Sequence, residues 1–318
     1  MRNVKQAKKR RIRVRRFLCD EYHHIYQRTV SRFNLFYDLE DYLVYYTIFS
    51  IAARQYGVHV IGLCLMFDHV HMLLKTESKV TMSEFIRQVT SMFAREQNTE
   101  VGRKGALFQA RFGSAPKKGL KLLRTAIAYL FNNPVERHLC DKAESYRWNF
   151  LAYGRSDHPF SDPIVIRNAS SSLRKAIKEV GAADAEDRHL RYGQLNRILY
   201  KLDEKERMQL VDHIVSIYNV IDYDALIHCY GTYDSMLTAI NSNTGSEYEV
   251  KEDRYRFSDM EYVYMLDILR QVEGMRTVRK VVTADIDEKL RLAGLLRRTL
   301  ECSNTALSKF LHIDLSGL

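Results

Sequence analysis

Between residues 58 and 75 the chain runs almost unbroken through apolar side chains, and the polar break falls at Asp68. Residues 58–66, rich in Val, Ile and Leu, have the composition of a buried strand. Residues 69–75 suit its partner, with Asp68 at the turn where aspartate is favoured. Around this pair the period changes. Residues 22–30 are dense in β-formers and predict a first strand. Residues 41–56 place Leu43, Tyr46, Ile48, Ile51 and Ala52 on one helical stripe, closed by Gly57. Residues 81–97 repeat the pattern with Met82, Phe85, Ile86, Val89, Met92 and Phe93, and Thr81 and Glu84 have capping-box spacing. Residues 101–119 read as a loop with glycines and Pro116, and residues 120–133 as a third helix. Pro134 disfavours helical backbone at Asn133 and should end that helix there.

Residues 135–154, with Tyr146, Trp148 and Tyr153, read as a final strand or an extended packing segment, and 154–163 as a linker. Beyond Pro163 the pattern is helical, over 169–180, 191–200, 203–218, 223–229, 258–273, 285–301 and 303–311, with a polar loop at 241–253. The last two helices, with Ser303 as N-cap, resemble either part of a helix-turn-helix or a simple packing hairpin over 285–318. The organisation expected is a basic arm (1–16), a first domain (17–155) and a helical C-terminal region (164–318).

Composition narrows the class. The hydrophobic content of 46% over 318 residues supports more than one core. The five cysteines are scattered without a C-x-x-C pair, which excludes a disulfide framework and predicts reduced thiols in a cytoplasmic protein. No apolar run approaches the ~20 residues of a membrane span, and the basic N-terminus lacks the apolar segment of a secretory signal. A formal charge of +10 favours a polyanionic partner. Residues 1–16 contain no acidic side chain, and Arg10, Arg11 and Arg13 lie in their densest run. That arm is either a solvated tail or a set of phosphate contacts. In the 101–119 loop Arg103, Lys104, Arg111, Lys117 and Lys118 alternate with Phe108 and Phe112. This suits either a nucleic-acid groove or a loop anchored by its aromatics.

The chemistry centres on the strand pair. His69 and His71 project from one face, with Val70 on the other, so they can share a metal ion or form a buried hydrogen-bonded pair. Tyr129 and Asn133 lie four apart on one helical face. If a metal is held, Asn133 can offer an amide oxygen, and a donor set of imidazole nitrogens, amide oxygen and phosphate suits Mg²⁺ or Mn²⁺. No cysteine is placed to make a structural zinc site. A cation there would polarise a scissile phosphate, and attack by the Tyr129 phenol would give a phosphotyrosine link.

Several ordered motifs then point one way: His24 and Arg28; Cys64-Leu65-Met66-Phe67-Asp68-His69-Val70-His71-Met72-Leu73-Leu74; Leu107-Phe108-Gln109-Ala110-Arg111-Phe112; Tyr129-Leu130-Phe131-Asn132-Asn133-Pro134-Val135; and Tyr146-Arg147-Trp148. Across about residues 22–154 this set resembles the REP-associated tyrosine transposases of the single-tyrosine HUH nuclease superfamily. The resemblance implies an α+β, ferredoxin-like antiparallel sheet carrying the His pair with helices on one face, followed here by a mostly helical C-terminal region. It implies His69, His71 and Asn133 as ligands of Mg²⁺ or Mn²⁺, Tyr129 as nucleophile, and Arg28 with the basic arm and loop as nucleic-acid contacts. The partner implied is single-stranded DNA with REP-like hairpins, cut and rejoined through a 5′-phosphotyrosine by a bacterial, nucleoid-associated monomer or homodimer. One departure stands out. The family usually has Pro-Asn before the His pair, and this chain has Phe67-Asp68, which adds negative charge beside a phosphate site. A non-cleaving DNA- or RNA-binding protein of the same fold and a hydrolase acting through water are the alternatives.

Overall fold

The two apolar runs pair as β2 (His59–Met66) and β3 (His69–Lys75), with Met66 opposite His69 across the turn at Phe67 and Asp68. β1 (His23–Arg28) pairs antiparallel with the other edge of β3, giving a sheet of order β2-β3-β1-β4. The computed structural model describes residues 16–109, 111–242 and 258–315. Arg10, Arg11 and Arg13, and most of the predicted polar loop at 241–253, lie outside them.

β4 (Gly113–Pro116) falls inside the stretch expected to be all loop. Its sequence, Gly-Ser-Ala-Pro, has no strand character. It is a strand because the open edge of β1 supplies the hydrogen-bonding partners, and Pro116 is tolerated at the end of an edge strand. Glycine is required at 113, since a Cβ there would lie 1.9 Å from the Tyr26 ring.

Strand alternation divides the sheet into two faces. Ile25, Leu63, Leu65, Val70, Met72 and Leu74 face α1 (Leu39–Gln55) and α2 (Lys79–Val101), meeting Phe49, Phe85 and Phe93 in the main core. Cys64, Met66 and Leu73 face α3 (Gly119–Glu136) through Ile127, Leu130 and Phe131. Helices therefore cover both faces, not one, and the His pair lies on the α3 side. The N-cap of α2 is Ser78, whose side chain accepts from the Thr81 N–H, so the helix starts a turn before the Thr81–Glu84 box. α3 continues past Asn133. Pro134 sits in its last turn, where it forfeits one donor, while Arg137 N–H still reaches the Asn133 carbonyl and Leu139 N–H that of Pro134.

Residues 135–154 form no strand. They make 3₁₀ turns at Ala143–Ser145, Arg147–Asn149 and Leu151–Gly154, and act as a packing segment. Trp148 stacks on Tyr42 at 4.3 Å, and the Tyr146 hydroxyl donates to the Leu65 carbonyl at 2.9 Å. Residues 154–163 lie against the next helices: Phe160 N–H and Ser161 Oγ both donate to Asp212.

The helices that follow are α4 (Ser171–Ala185), α5 (Tyr192–Leu199), α6 (Glu204–Ile217), α7 (Tyr223–His228), α8 (Tyr233–Asn241), α9 (Met260–Gln271), α10 (Ile286–Thr299) and α11 (Asn304–Leu311). α8 was not foreseen from the sequence; its Met236 and Ile240 pack under α3. Leu173, Val180, Leu195, Leu210 and Ile214 join the core beneath α1. α9 to α11 build a separate cluster around Met265, Leu296, Leu307 and Phe310, and that cluster takes in Tyr37, just before α1, and Phe67 from the β2–β3 turn.

Candidate active site

The site grows from strand register. Tyr26 and Cys64 flank His71, and Arg28 and Met66 flank His69, so His24, Tyr26, Arg28, His69 and His71 share the face covered by α3. Tyr129 and Asn133, one helical turn apart on α3, come down onto the histidines. His69 Nε2 lies 3.3 Å from Asn133 Oδ1, and Asn133 Nδ2 donates to His71 Nε2 at 3.2 Å. The Tyr129 ring meets the rings of His71 and His24 edge-on, with centroids 5.4 Å away in each case. All are buried: His71 is 0% exposed, His24 1%, His69 and Asn133 5%, and Tyr129 6%.

The hydrogen-bond network assigns the tautomers. His69 Nδ1–H donates to Asp68 Oδ1 at 2.5 Å, which leaves Nε2 as a lone pair in neutral His69. His71 accepts from Asn133 at Nε2, so its proton sits on Nδ1 and is donated to His24 Nε2 at 3.0 Å. Both Nε2 lone pairs thus converge on the Asn133 amide. In that neutral form Nε2 and Asn133 Oδ1 are two acceptors 3.3 Å apart, a gap that a proton on Nε2 or a cation would bridge. The donor set fits a cation: two imidazole nitrogens and an amide oxygen, without the thiolates of a cysteine-rich structural zinc cluster. Among the described residues there is no group of three His, Cys, Asp or Glu able to hold a metal, so a cation here depends on Asn133 as the third protein donor.

Burial and neighbouring charges set the state of these groups. Burial, aided by His69, Arg28 and Arg137, holds His71 well below the usual imidazole range, so it is neutral at neutral pH. For Asp68 burial acts to raise the carboxyl, but His69, Lys309 and Arg137 outweigh it and hold the group below its ordinary value. Asp68 therefore does not present an uncompensated negative charge, contrary to the concern raised by its place in the sequence. Nearby Asp259 is pushed up to about 6 by burial and by Asp68, against Arg137 and His69.

The predicted nucleic-acid contacts divide. Arg28 lies opposite His69 on the site face. Lys104, Arg111 and Lys118 are exposed, and Lys117 is buried with its N–H on the Tyr22 carbonyl. Arg103 folds back, to Asn98 Oδ1 in the last turn of α2 and to the Ala106 carbonyl of its own loop. Phe108 packs in the core against Tyr45 and Phe93, which is the anchoring arrangement for this loop rather than a stacking one. Sequence reasoning did not assign His24, Arg137 or Lys309 to the site. The even-numbered parity of β1 was a signal for His24. Lys309 had none, being 240 positions from His69.

The family comparison spans the sheet and most of α3. Residues 18–133 match the model of the family described as "Transposase IS200 like". Over this stretch, about a third of its length, the chain is similar to IS200-like transposases. The matched residues include His24, His69, His71, Tyr129 and Asn133, whereas Arg137 and Lys309 lie outside them. Among solved structures, a REP-associated tyrosine transposase bound to a REP hairpin is similar at 15% identity, covering 50% of this chain and 95% of that chain, with a TM-score of 0.39. No curated protein matches. Among the described residues no helix is long and apolar enough to cross a membrane.

Proposed function

We propose that this protein binds single-stranded DNA near hairpins, then cuts and rejoins it through a covalent link to Tyr129. The observation that carries the reading is the convergence of both His Nε2 atoms on Asn133, one turn from a tyrosine that packs on the same histidines. His69, His71 and Asn133 would hold Mg²⁺ or Mn²⁺, which when bound would supply Lewis-acid polarisation of the scissile phosphate. Tyr129 would attack phosphorus. The new bond is P–Oη, the bond broken is that to the 3′ oxygen, the phenolic proton is lost, and the leaving 3′ oxygen takes one up. The 5′-phosphotyrosine conserves the phosphodiester energy, and attack by a 3′-hydroxyl reverses the step and rejoins DNA. Arg28, Lys104, Arg111 and Lys118, with the arm residues Arg10, Arg11 and Arg13, would bind backbone phosphates, which fixes position more than sequence. Hairpin-bearing oligonucleotides incubated with Mn²⁺ and the full chain test this: an SDS-resistant protein–DNA band is expected. Binding without that band would favour the second reading, a non-cleaving nucleic-acid-binding protein of the same fold. The observation on that side is the burial of Tyr129 at 6% exposure, which a phosphate must overcome. Metal-dependent cleavage without an adduct would instead indicate hydrolysis by water.

A further inference from the structure

The turn that carries His69 is held in part from outside residues 18–133. The Phe67 ring is 4% exposed and packs in the C-terminal cluster, 5.2 Å from the ring of Tyr262 on α9. Its carbonyl accepts from Leu35 N–H at 2.7 Å, and the Asp68 carbonyl accepts from Thr29 N–H at 3.0 Å. Segment 33–38, on which this turn rests, is in turn gripped by α11 and the residue after it. Asn34 N–H donates to the Lys309 carbonyl, the Tyr37 hydroxyl to the Phe310 carbonyl at 2.7 Å, and His312 Nε2 to the Asn34 carbonyl at 2.8 Å. His312 also stacks on Phe33. Lys309 Nζ stands 3.9 Å from Asp68 Oδ2, while Asp68 Oδ1 takes the His69 proton. The C-terminal end of α3 is tied down by the same unit, since Asp259 N–H donates to the Arg137 carbonyl at 3.0 Å.

We infer that α9 to α11 are a working part of the ligand set, with Lys309 and Asp68 as positioning residues that hold His69 in its Nδ1–H tautomer and aim Nε2 at Asn133. The inference deepens the metal-site reading above and rests on it. The physical ground is general: a carboxylate on the far nitrogen of a ligating histidine fixes its tautomer and ring orientation, and loss of such a partner typically weakens metal binding about 10- to 100-fold. What is specific to this chain is that the carboxylate is steadied by a helix more than 200 residues away in sequence.

The test uses the full-length protein and reads two quantities that do not depend on DNA cleavage. In metal-free protein with ¹⁵N-labelled histidine, His69 should carry its proton on Nδ1, and Asp68→Ala should shift it toward the Nε2–H form. In Mn²⁺ titrations, Asp68→Ala should lose about 10- to 100-fold in affinity. Asp68→Asn, whose amide oxygen still accepts from Nδ1–H, should keep the tautomer and most of the affinity. Lys309→Met should lose up to about fivefold, the size of a partly exposed ion pair, and that loss should vanish in an Asp68→Ala background. An Asp68→Ala protein with unchanged tautomer overturns the inference. So does tighter Mn²⁺ binding in Lys309→Met, which would make Lys309 a repelling charge and not a support. Should the parent protein bind no Mn²⁺, the metal reading itself fails, and the tautomer comparison still decides whether Asp68 and Lys309 position His69.

Discussion

Replacing Arg279 by methionine keeps an unbranched, though shorter, side chain and removes one charge from the joint between the start of α1 and the segment leading from α9 to α10. The guanidinium is 1% exposed and is shared by Asp41 at 2.8 Å, Glu40 at 3.1 Å and Asp38 at 3.7 Å, with the Tyr192 ring 4.5 Å away. Asp41 also accepts from the Tyr37 and Asp38 N–H groups and from the Tyr192 hydroxyl, so it cannot turn out to water. Arg270 reaches Asp38 at 3.3 Å, but its side chain is 41% exposed and it leaves Asp41 unmatched. Unit charges about 3.5 Å apart interact by roughly 5 kcal/mol at an effective dielectric near 20. Breaking a buried pair from one side costs about 3–5 kcal/mol. The expected loss at pH 7 is therefore about 3–5 kcal/mol, limited by uptake of a proton on one stranded carboxyl.

The sign with pH follows from the same groups. Burial holds Asp38 and Glu40 above their usual carboxylate values, with Arg279 pulling both down. Without Arg279 they rise further. A raised carboxyl contributes stability that is complete below its unfolded pKa and is lost as pH climbs through the folded value. The Arg279→Met deficit should therefore be larger at pH 7 than at pH 5. Urea unfolding of both proteins at the two pH values measures it. A deficit under about 1 kcal/mol at pH 7 would show the cluster is not the joint described, because a buried charge left unpaired must cost more. A deficit that shrinks as pH rises would contradict the assignment of the carboxylates.

Three further outcomes are expected. Tyr129→Phe removes only the hydroxyl oxygen and should abolish the covalent adduct while leaving hairpin affinity nearly unchanged; an adduct that persists moves the nucleophile elsewhere. His71→Ala should lose Mn²⁺ binding and, because His71 is fully buried between His24 and Asn133, should also lower the melting temperature. Retained Mn²⁺ binding in that variant would refute the ligand assignment. Deleting residues 1–16 should weaken binding to single-stranded DNA and flatten its salt dependence by up to roughly 0.7 per lost phosphate contact, with little change in choice among hairpins. An unchanged slope would make the arm a solvated tail.

The strands and their faces were legible because strand period is a local property. Apolar runs at 58–66 and 69–75 delimit β2 and β3 within a residue, and alternation alone puts His69 and His71 on the face opposite Val70. Helical spacing did the same for Tyr129 and Asn133. Local rules also explain the misses. Gly-Ser-Ala-Pro becomes β4 only because β1 offers it an edge, and Pro134 stays helical because the turn closes around it through Arg137 and Leu139. What tertiary structure alone decided is the chemistry of the turn. In sequence Asp68 is a charge beside a phosphate site; in the fold it is the acceptor of the His69 proton, steadied by Lys309. Nor could sequence pair His24 with His71, which depends on the register of β1 against β3, or bring Phe67 under Tyr262. Periodicity fixes which way a side chain points along its own element. Which distant side chain it meets depends on how the elements pack, and that is set by the sum of many burials and not by any one stretch of chain.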